Sequence, residues 1–539
     1  MIHESVFMPL ASRRRQTLLY LIFLLMALAA LSGCQSSSPA SPTPVTNTAP
    51  TLEQGNAVHT PTRNSALPPA TPTSAPPQPL ILGVPPQWAQ AASQAILNLS
   101  DTRSEWEWIV EPADDPEENL AQGAYDMVLL PDSLGIPVGS RPLSLAVPLS
   151  SSWVHISLPE AEQIRTEGSP FVTVMDWSAI TADMRSLLVD DLHPSDPTYP
   201  LRETWSLHSA AGFERAAEEL APWLKQELTL DPVIHLAAVG DVMLDRALGE
   251  AIVAGNMDYP FALVEEPLSS ADLTIGNLES ALGDLGSPEN KGYTFRAPVE
   301  AAETLAFAGF DVLSLANNHA MDFGSQALLQ AIQLLDALEV ATVGAGADDA
   351  AAHQPVILEV NGIKLAILAY MDVPVEFRGF DARTWIAGEA AAGVSWAEPQ
   401  RIKTDVTAAL SHADHVVVIL HSGYENVLQP SPPQVSAAHA AIEAGSMLVI
   451  GHHAHILQPV ELMSGCVILY GLGNFAFEDA GPPETGIMNI WIDARGVREL
   501  ELMPFVLDAD GRPTPANEEI SRAILESFYT MTSYIEGGE

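Results

Sequence analysis

At 539 residues the chain exceeds one ordinary domain, so two folded units with extra segments are expected. Its 23 Lys and Arg against 68 Asp and Glu leave a formal charge of −45, which argues against nucleic acid as a partner and repels polyanions unless a site carries its own positive charge. Only two cysteines, Cys34 and Cys466, are present, which excludes a disulfide framework, and 47% hydrophobic residues suffice for sizeable cores.

Arg13, Arg14 and Arg15 precede an apolar run from Leu18 to Leu31, the charged and hydrophobic regions of a signal peptide and short for a membrane-spanning helix. The run ends in Leu31-Ser32-Gly33-Cys34, which is similar to a bacterial lipobox. That similarity implies removal of residues 1–33 and lipid on Cys34, with the chain extracytoplasmic and held to the bacterial membrane as a lipoprotein. An uncleaved anchor helix is the alternative and puts the bulk of the chain on the same side. Residues 34–79 are mostly Ser, Thr, Pro and Ala, too poor in apolar surface to fold, and read as an extended linker.

Residues 80–230 read as a first, smaller α/β unit. Leu80–Val84 and Tyr125–Leu130 are strand-like, and Gln87–Leu99 has helical spacing. Ala210–Leu228 reads as an amphipathic helix broken or kinked near Pro222. The phrases Leu143–Pro148 and Asp196–Leu201 are weakly similar to solute-binding proteins. No cluster of chemistry-bearing residues stands out, which suits a binding lobe or spacer.

Residues 231–510 repeat one arrangement: an apolar strand-like run ending in a glycine or polar turn that carries a metal-competent residue. Ile234–Asp241 ends in Gly240-Asp241, where the Asp is either a metal ligand or the N-cap of the next helix. Ala271–Glu279 ends in Asn277-Leu278-Glu279, and Phe310–Asp322 carries Asn317, Asn318, His319 and Asp322. His415–His421 is followed by Gly423 and Glu425, Met447–Gly451 runs into His452, His453 and His455, and Val467–Phe475 ends in Gly473-Asn474. Helix-like stretches such as Ser325–Leu338 and Pro433–Ala444 supply the crossovers of a layered α/β fold, whose ligands gather at strand C-termini. The donors are oxygen and nitrogen without a cysteine motif, which suits Mn, Fe, Zn or Mg. Residues 511–539 read as a helical tail.

These motifs resemble the CapA family, linked to poly-γ-glutamate capsule biosynthesis, in the calcineurin-like metallophosphoesterase superfamily. The resemblance covers Ile234 to Pro504 and implies a four-layer α/β/β/α sandwich over residues 231–510, preceded by the smaller α/β domain resembling part of a solute-binding protein. It implies one or two divalent metal ions held by Asp241, Glu279, Asn318, His421, His453 and His455, with spacing leaving open whether His452 or His453 pairs with His455. His319, oriented by Asp322, would serve the leaving group, and Asn277, Asn317, Glu425, His452 and Asn474 would contact substrate. The superfamily's opening Asp-x-His has Met243 at its third position here, and Asn277 and Glu279 stand where a bridging Asp is usual, so one metal lacks a customary ligand. The implied function is a surface-anchored metal-dependent hydrolase acting on a phosphoester or an anionic polymer. The alternative is a non-catalytic polymer-binding or escort subunit beside capsule synthase subunits.

Overall fold

Short runs, most of them of Val, Ile, Leu and Ala and closed by Gly, Asn or His, form the strands that matter for the site. In the computed structural model, which describes residues 79–101, 106–478 and 480–535, six strands carry them. These are β1 (Ile234–Val242), β2 (Leu273–Leu278), β3 (Val312–Ser314), β4 (His415–Ser422), β5 (Leu448–His452) and β6 (Asn474–Ala476). Cys34 and the leader and linker up to residue 78 lie outside the described residues.

The fold is mixed α/β with several sheets. An eight-stranded sheet runs from Ala341–Val343 through β3, β2 and β1 to the antiparallel strands Glu484–Asp493, Gly496–Leu507 and Pro513–Pro515, with β6 also pairing β1. A seven-stranded sheet places β4 and β5 side by side between Ile363–Asp372 and Cys466–Leu469. The near-continuous apolar runs follow from burial on both faces, as parallel strands require. Alternation then sorts the side chains. Leu365, Ile367, Val417, Ile419 and Ile450 share one core with Leu236, Ala238, Ile275 and Leu313 of the other sheet. Ala366, Leu368, Val416, Val418 and Val449 pack with Ile402, Val406, Ala437 and Ala441, which belong to the helices Pro399–Ala409 and Pro432–Glu443. The second of those helices starts at a capping box of Ser431 and Gln434, which satisfies two otherwise orphaned backbone donors.

Residues 80–230 form their own seven-stranded sheet. Of the two outcomes expected near Pro222, a break or a kink, the break does not occur: one helix, Glu214–Glu227, runs through the proline. Its face of Ala216, Ala217, Leu220, Ala221 and Leu224 packs on Ala92, Ala95 and Leu99 of the helix Ala89–Ser100, and that burial outweighs the one lost backbone hydrogen bond. This sheet is tied to the next by a buried acid. The Trp177 indole N–H donates to Glu499 Oε2 at 2.7 Å, the Ser186 amide donates to Glu499 Oε1, and Trp491 joins Trp177, Ala146 and Ile180 in one apolar cluster. Near the C-terminus the helix Glu518–Thr530 buries Ile524, Leu525, Phe528 and Tyr529 in the main core. Among the described residues no helix is long and apolar enough to cross a membrane.

Candidate metal centre

Parallel register brings the polar ends of the strands to one place. Asp241 of β1 pairs with Asn277 of β2 and with Asn474 of β6, Asn277 with Ser314 of β3, and His421 of β4 with His452 of β5. Glycine permits the crowding. A Cβ on Gly240 would overlap the Gly473 carbonyl, and one on Gly451 the Tyr470 carbonyl, so each glycine lets a neighbouring strand pass beside the site residue that follows it. Asp245, not Asp241, caps the next helix, Arg246–Val253, which leaves the Asp241 carboxylate for the site. Beyond β5 the chain turns through two left-handed non-glycine residues, His453 at φ 86° and His455 at φ 56°. Such strained backbone persists where its surroundings hold it, and here the His453 amide donates to Asp241 Oδ2 at 3.1 Å.

Five predicted ligands meet in two overlapping groups. Ligand atoms of Glu279, His421 and His453 lie within 4.8 Å of one another, as do those of Asp241, Glu279 and His455, so Glu279 belongs to both. Asn318 Oδ1 lies 2.6 Å from His421 Nε2, placing this amide beside the first group. His455 Nδ1 is bonded to Asn474 Oδ1 at 2.8 Å, which orients the ring with Nε2 4.0 Å from Glu279 Oε1. Asn277 donates to Asp241 Oδ1 at 2.8 Å and accepts from Asn317 at 3.0 Å, so both amides align carboxylates and loops. His452 is buried with Nδ1 3.0 Å from Asp241 Oδ1 and belongs to neither three-residue group. Met243 packs with Phe295 and Phe477 in a small apolar cluster.

The residues fit a cation. Glu279 is fully buried and neither of its carboxylate oxygens has a hydrogen-bond partner, a costly arrangement that a bound metal would relieve. Burial, then the Asp241 charge, pushes Glu279 well above the usual carboxylate range. For Asp241 burial pulls the same way but is outweighed by His452 and His455, which hold it well below that range. Burial, reinforced by the neighbouring imidazoles, drives His421 well down and His453 down to about 3, so both are neutral and offer lone pairs. In His455 burial is overcome by hydrogen bonding and charge from Asp241, and its imidazole is raised.

His319 stands beside this cluster. Its Nδ1 is 2.7 Å from Asp322 Oδ2, and its amide donates to Asn317 Oδ1 at 3.0 Å. Asp322 also accepts from the Phe295 amide at 2.6 Å and pairs with Lys291 Nζ at 2.7 Å. Burial pushes Asp322 up to about 7 against the opposing pull of Lys291, while burial and then the Lys291 charge drive His319 well below its ordinary value. The resting imidazole is therefore neutral.

Lys291 was not among the sequence candidates. Its side chain is fully buried and its ammonium also reaches the Asn318 carbonyl at 2.5 Å and Glu376 at 2.7 Å, over the Trp385 ring. It sits in a loop rich in Gly, Ser and Pro with no strand-like run before it, so position gave no cue; an isolated cation in so acidic a chain is the only signal. Phe295 was missed for the same reason; Arg246 was missed because it stands past the strand end, as the first residue of the next helix. With Tyr293, His319, Glu425, His455 and Phe477 they line a cavity of about 430 Å³ at the cluster. Asn277, Asn317, His452 and Asn474, expected to touch substrate, are buried and are not among its lining residues.

The chain is similar to known proteins. Residues 235–479 match the family described as bacterial capsule synthesis protein PGA_cap. The PGA biosynthesis protein CapA of Bacillus subtilis (strain 168) is 29% identical over 54% of this chain and 75% of its own length. The capsule biosynthesis protein CapA of Bacillus anthracis is 28% identical over 56% of this chain and 76% of its own. A protein of Mycobacterium tuberculosis named "Probable polyglutamine synthesis accessory protein" is 32% identical over 46% of this chain and 68% of its own. The matched span holds all five clustered side chains, and the chain belongs to the PGA_cap (CapA) family of bacterial capsule synthesis proteins.

Proposed function

We propose that this chain is a metal-dependent hydrolase of the metallophosphoesterase type, anchored outside the membrane by lipid on Cys34 and acting in poly-γ-glutamate capsule or related surface-polymer biosynthesis. The observation that carries the reading is Glu279: a buried carboxylate with no hydrogen-bond partner, common to two three-residue groups of metal-competent side chains. Asp241 and His455 would complete one site, His421 and His453 the other, with Asn318 beside the latter. Bound divalent metal, Mn, Fe, Zn or Mg, would supply positive charge and an acidified water. The four-layer sandwich belongs to this reading and is supported by the core shared between the two large sheets, with helices on the far face of one.

The chain's own residues have distinct work in this reading. Asp322, held by Lys291 and the Phe295 amide, fixes the His319 ring through Nδ1 and leaves Nε2 to take a proton from solvent and pass it to the leaving group. Asn277 and Asn317 keep Asp241 and the His319 loop in register. The test is elemental analysis of protein purified without chelator and reconstituted with each metal, beside hydrolysis of bis-p-nitrophenyl phosphate and of poly-γ-glutamate. At least one bound metal and turnover of one substrate are expected; no metal in any preparation would overturn the reading. Incorporation of labelled palmitate, lost in Cys34→Ser, tests the anchor.

A second reading is a non-catalytic, metal-containing subunit that binds or escorts the polymer for a capsule synthase. The word "accessory" in the mycobacterial relative's name favours it. Metal without turnover of either substrate would select it.

A further inference from the structure

We propose that Arg246 is the anion-recognition residue of the cavity beside the metal centre, receiving an anionic oxygen group of the substrate, carboxylate or phosphoryl, next to His319. The proposal rests on the adjacent cluster being a metal centre and adds what the substrate must carry. Among the described residues lining the cavity, Arg246 is the sole Lys or Arg. The chain's charge of −45 repels anions, and Glu425 lines the same cavity, so an anion held there needs a local cation.

The guanidinium is placed rather than left to wander. Arg246 opens its helix at φ 51°, a left-handed conformation that costs free energy for a residue with a side chain. Asp245 holds it there: Oδ1 accepts the Arg246 amide at 2.8 Å, and Oδ2 accepts the Arg296 amide at 2.9 Å. At the far end, Arg246 Nη1 donates to the Glu478 carbonyl at 3.0 Å, while the Glu478 carboxylate accepts from the Ala247 amide at 2.9 Å. The Phe295 ring links the cation to the chemistry, lying 5.1 Å from the guanidinium carbon and 4.3 Å from the His319 ring centroid. The Arg246 charge also acts on His319, in the direction that keeps the imidazole neutral. A planar, permanently charged fork on an aromatic wall suits two-oxygen anions.

Calorimetric titration of the full metal-loaded chain with inorganic phosphate and with a γ-linked glutamate trimer tests this. Wild type should bind at least one probe. Arg246→Ala should weaken that binding by about 10- to 100-fold with metal content unchanged, and Arg246→Lys, which keeps charge but not the fork, by less. Phosphate as the tighter probe identifies the phosphoryl source; the trimer as the tighter probe identifies the carboxylate source. Should Arg246→Ala fail to fold by thermal melt, Arg246→Lys decides alone, and unchanged affinity in it overturns the proposal. Unchanged affinity in a folded Arg246→Ala, or wild type with metal that binds neither probe, overturns it as well. Elemental analysis of the same samples separates the two readings, because absence of metal from wild type overturns the centre itself.

Discussion

Glu279 and the histidines around it should behave as one unit, since removing any ligand leaves the others buried without a partner. His453→Ala and His455→Ala are each expected to lose metal, measured by elemental analysis. His319→Ala should instead keep its metal while turnover falls by about 10²- to 10⁴-fold, because its ring contacts are Asp322 and Phe295 rather than the ligand groups. Metal loss in that variant equal to His455→Ala would make His319 a ligand. Lys291→Met leaves Asp322 and Glu376 buried without their shared cation and should destabilise by about 3–5 kcal/mol in chemical denaturation. A pH effect follows from the same pair. Burial pushes Glu376 up to about 7, from an ordinary 4.5 and against Lys291, so the folded state keeps a proton that the unfolded chain has lost. Its contribution to stability is full below about pH 4.5 and declines as pH rises towards 7. Glu376→Gln should lack that decline, read as a flatter stability profile across this window.

At the level of elements, the strand ends deliver the ligands and the glycines let the strands come close. Gly451→Ala forces a methyl group into the Tyr470 carbonyl immediately before His452. It should cost about 1–3 kcal/mol by the overpacking it imposes and lower metal content by shifting the His453–His455 turn. A variant with wild-type stability and full metal would mean that β5 yields without moving the turn. These strands were legible in sequence because burial on both faces leaves unbroken apolar runs, as in His415–His421, observed as His415–Ser422. Whether the helix breaks at Pro222 was not legible, because only tertiary packing of its alanine- and leucine-rich face compensates for the missing N–H.

For the whole molecule, the buried Glu499 makes residues 80–230 more than an appendage in the folded chain. A chain beginning at Leu80 should fold with wild-type metal content, since its first strand starts there. A chain beginning at Asp231 loses Trp177 and the Ser186 amide, the partners of Glu499, and bares Trp491. It should melt lower and aggregate more readily than the Leu80 version, measured by thermal denaturation and light scattering; equal melting would show the seam to be dispensable.

By itself the sequence placed Asp241, Glu279, His421 and the His452–His455 stretch at the ends of apolar runs, because local pattern records burial, while the expected ligand roles came from the resemblance to the CapA family. Only tertiary structure decided which imidazole beside His455 joins a ligand group, because His452 and His453 differ by a left-handed turn that spacing does not reveal. It also decided the role of the amides. Asn277, Asn317 and Asn474 became alignment residues because their partners lie 36, 40 and 19 residues away in sequence and meet them only once the sheets close. Lys291, in a loop, and Arg246, at a helix start, were invisible beforehand for a related reason: a charged side chain acquires meaning from the carboxylates and rings that distant segments bring to it.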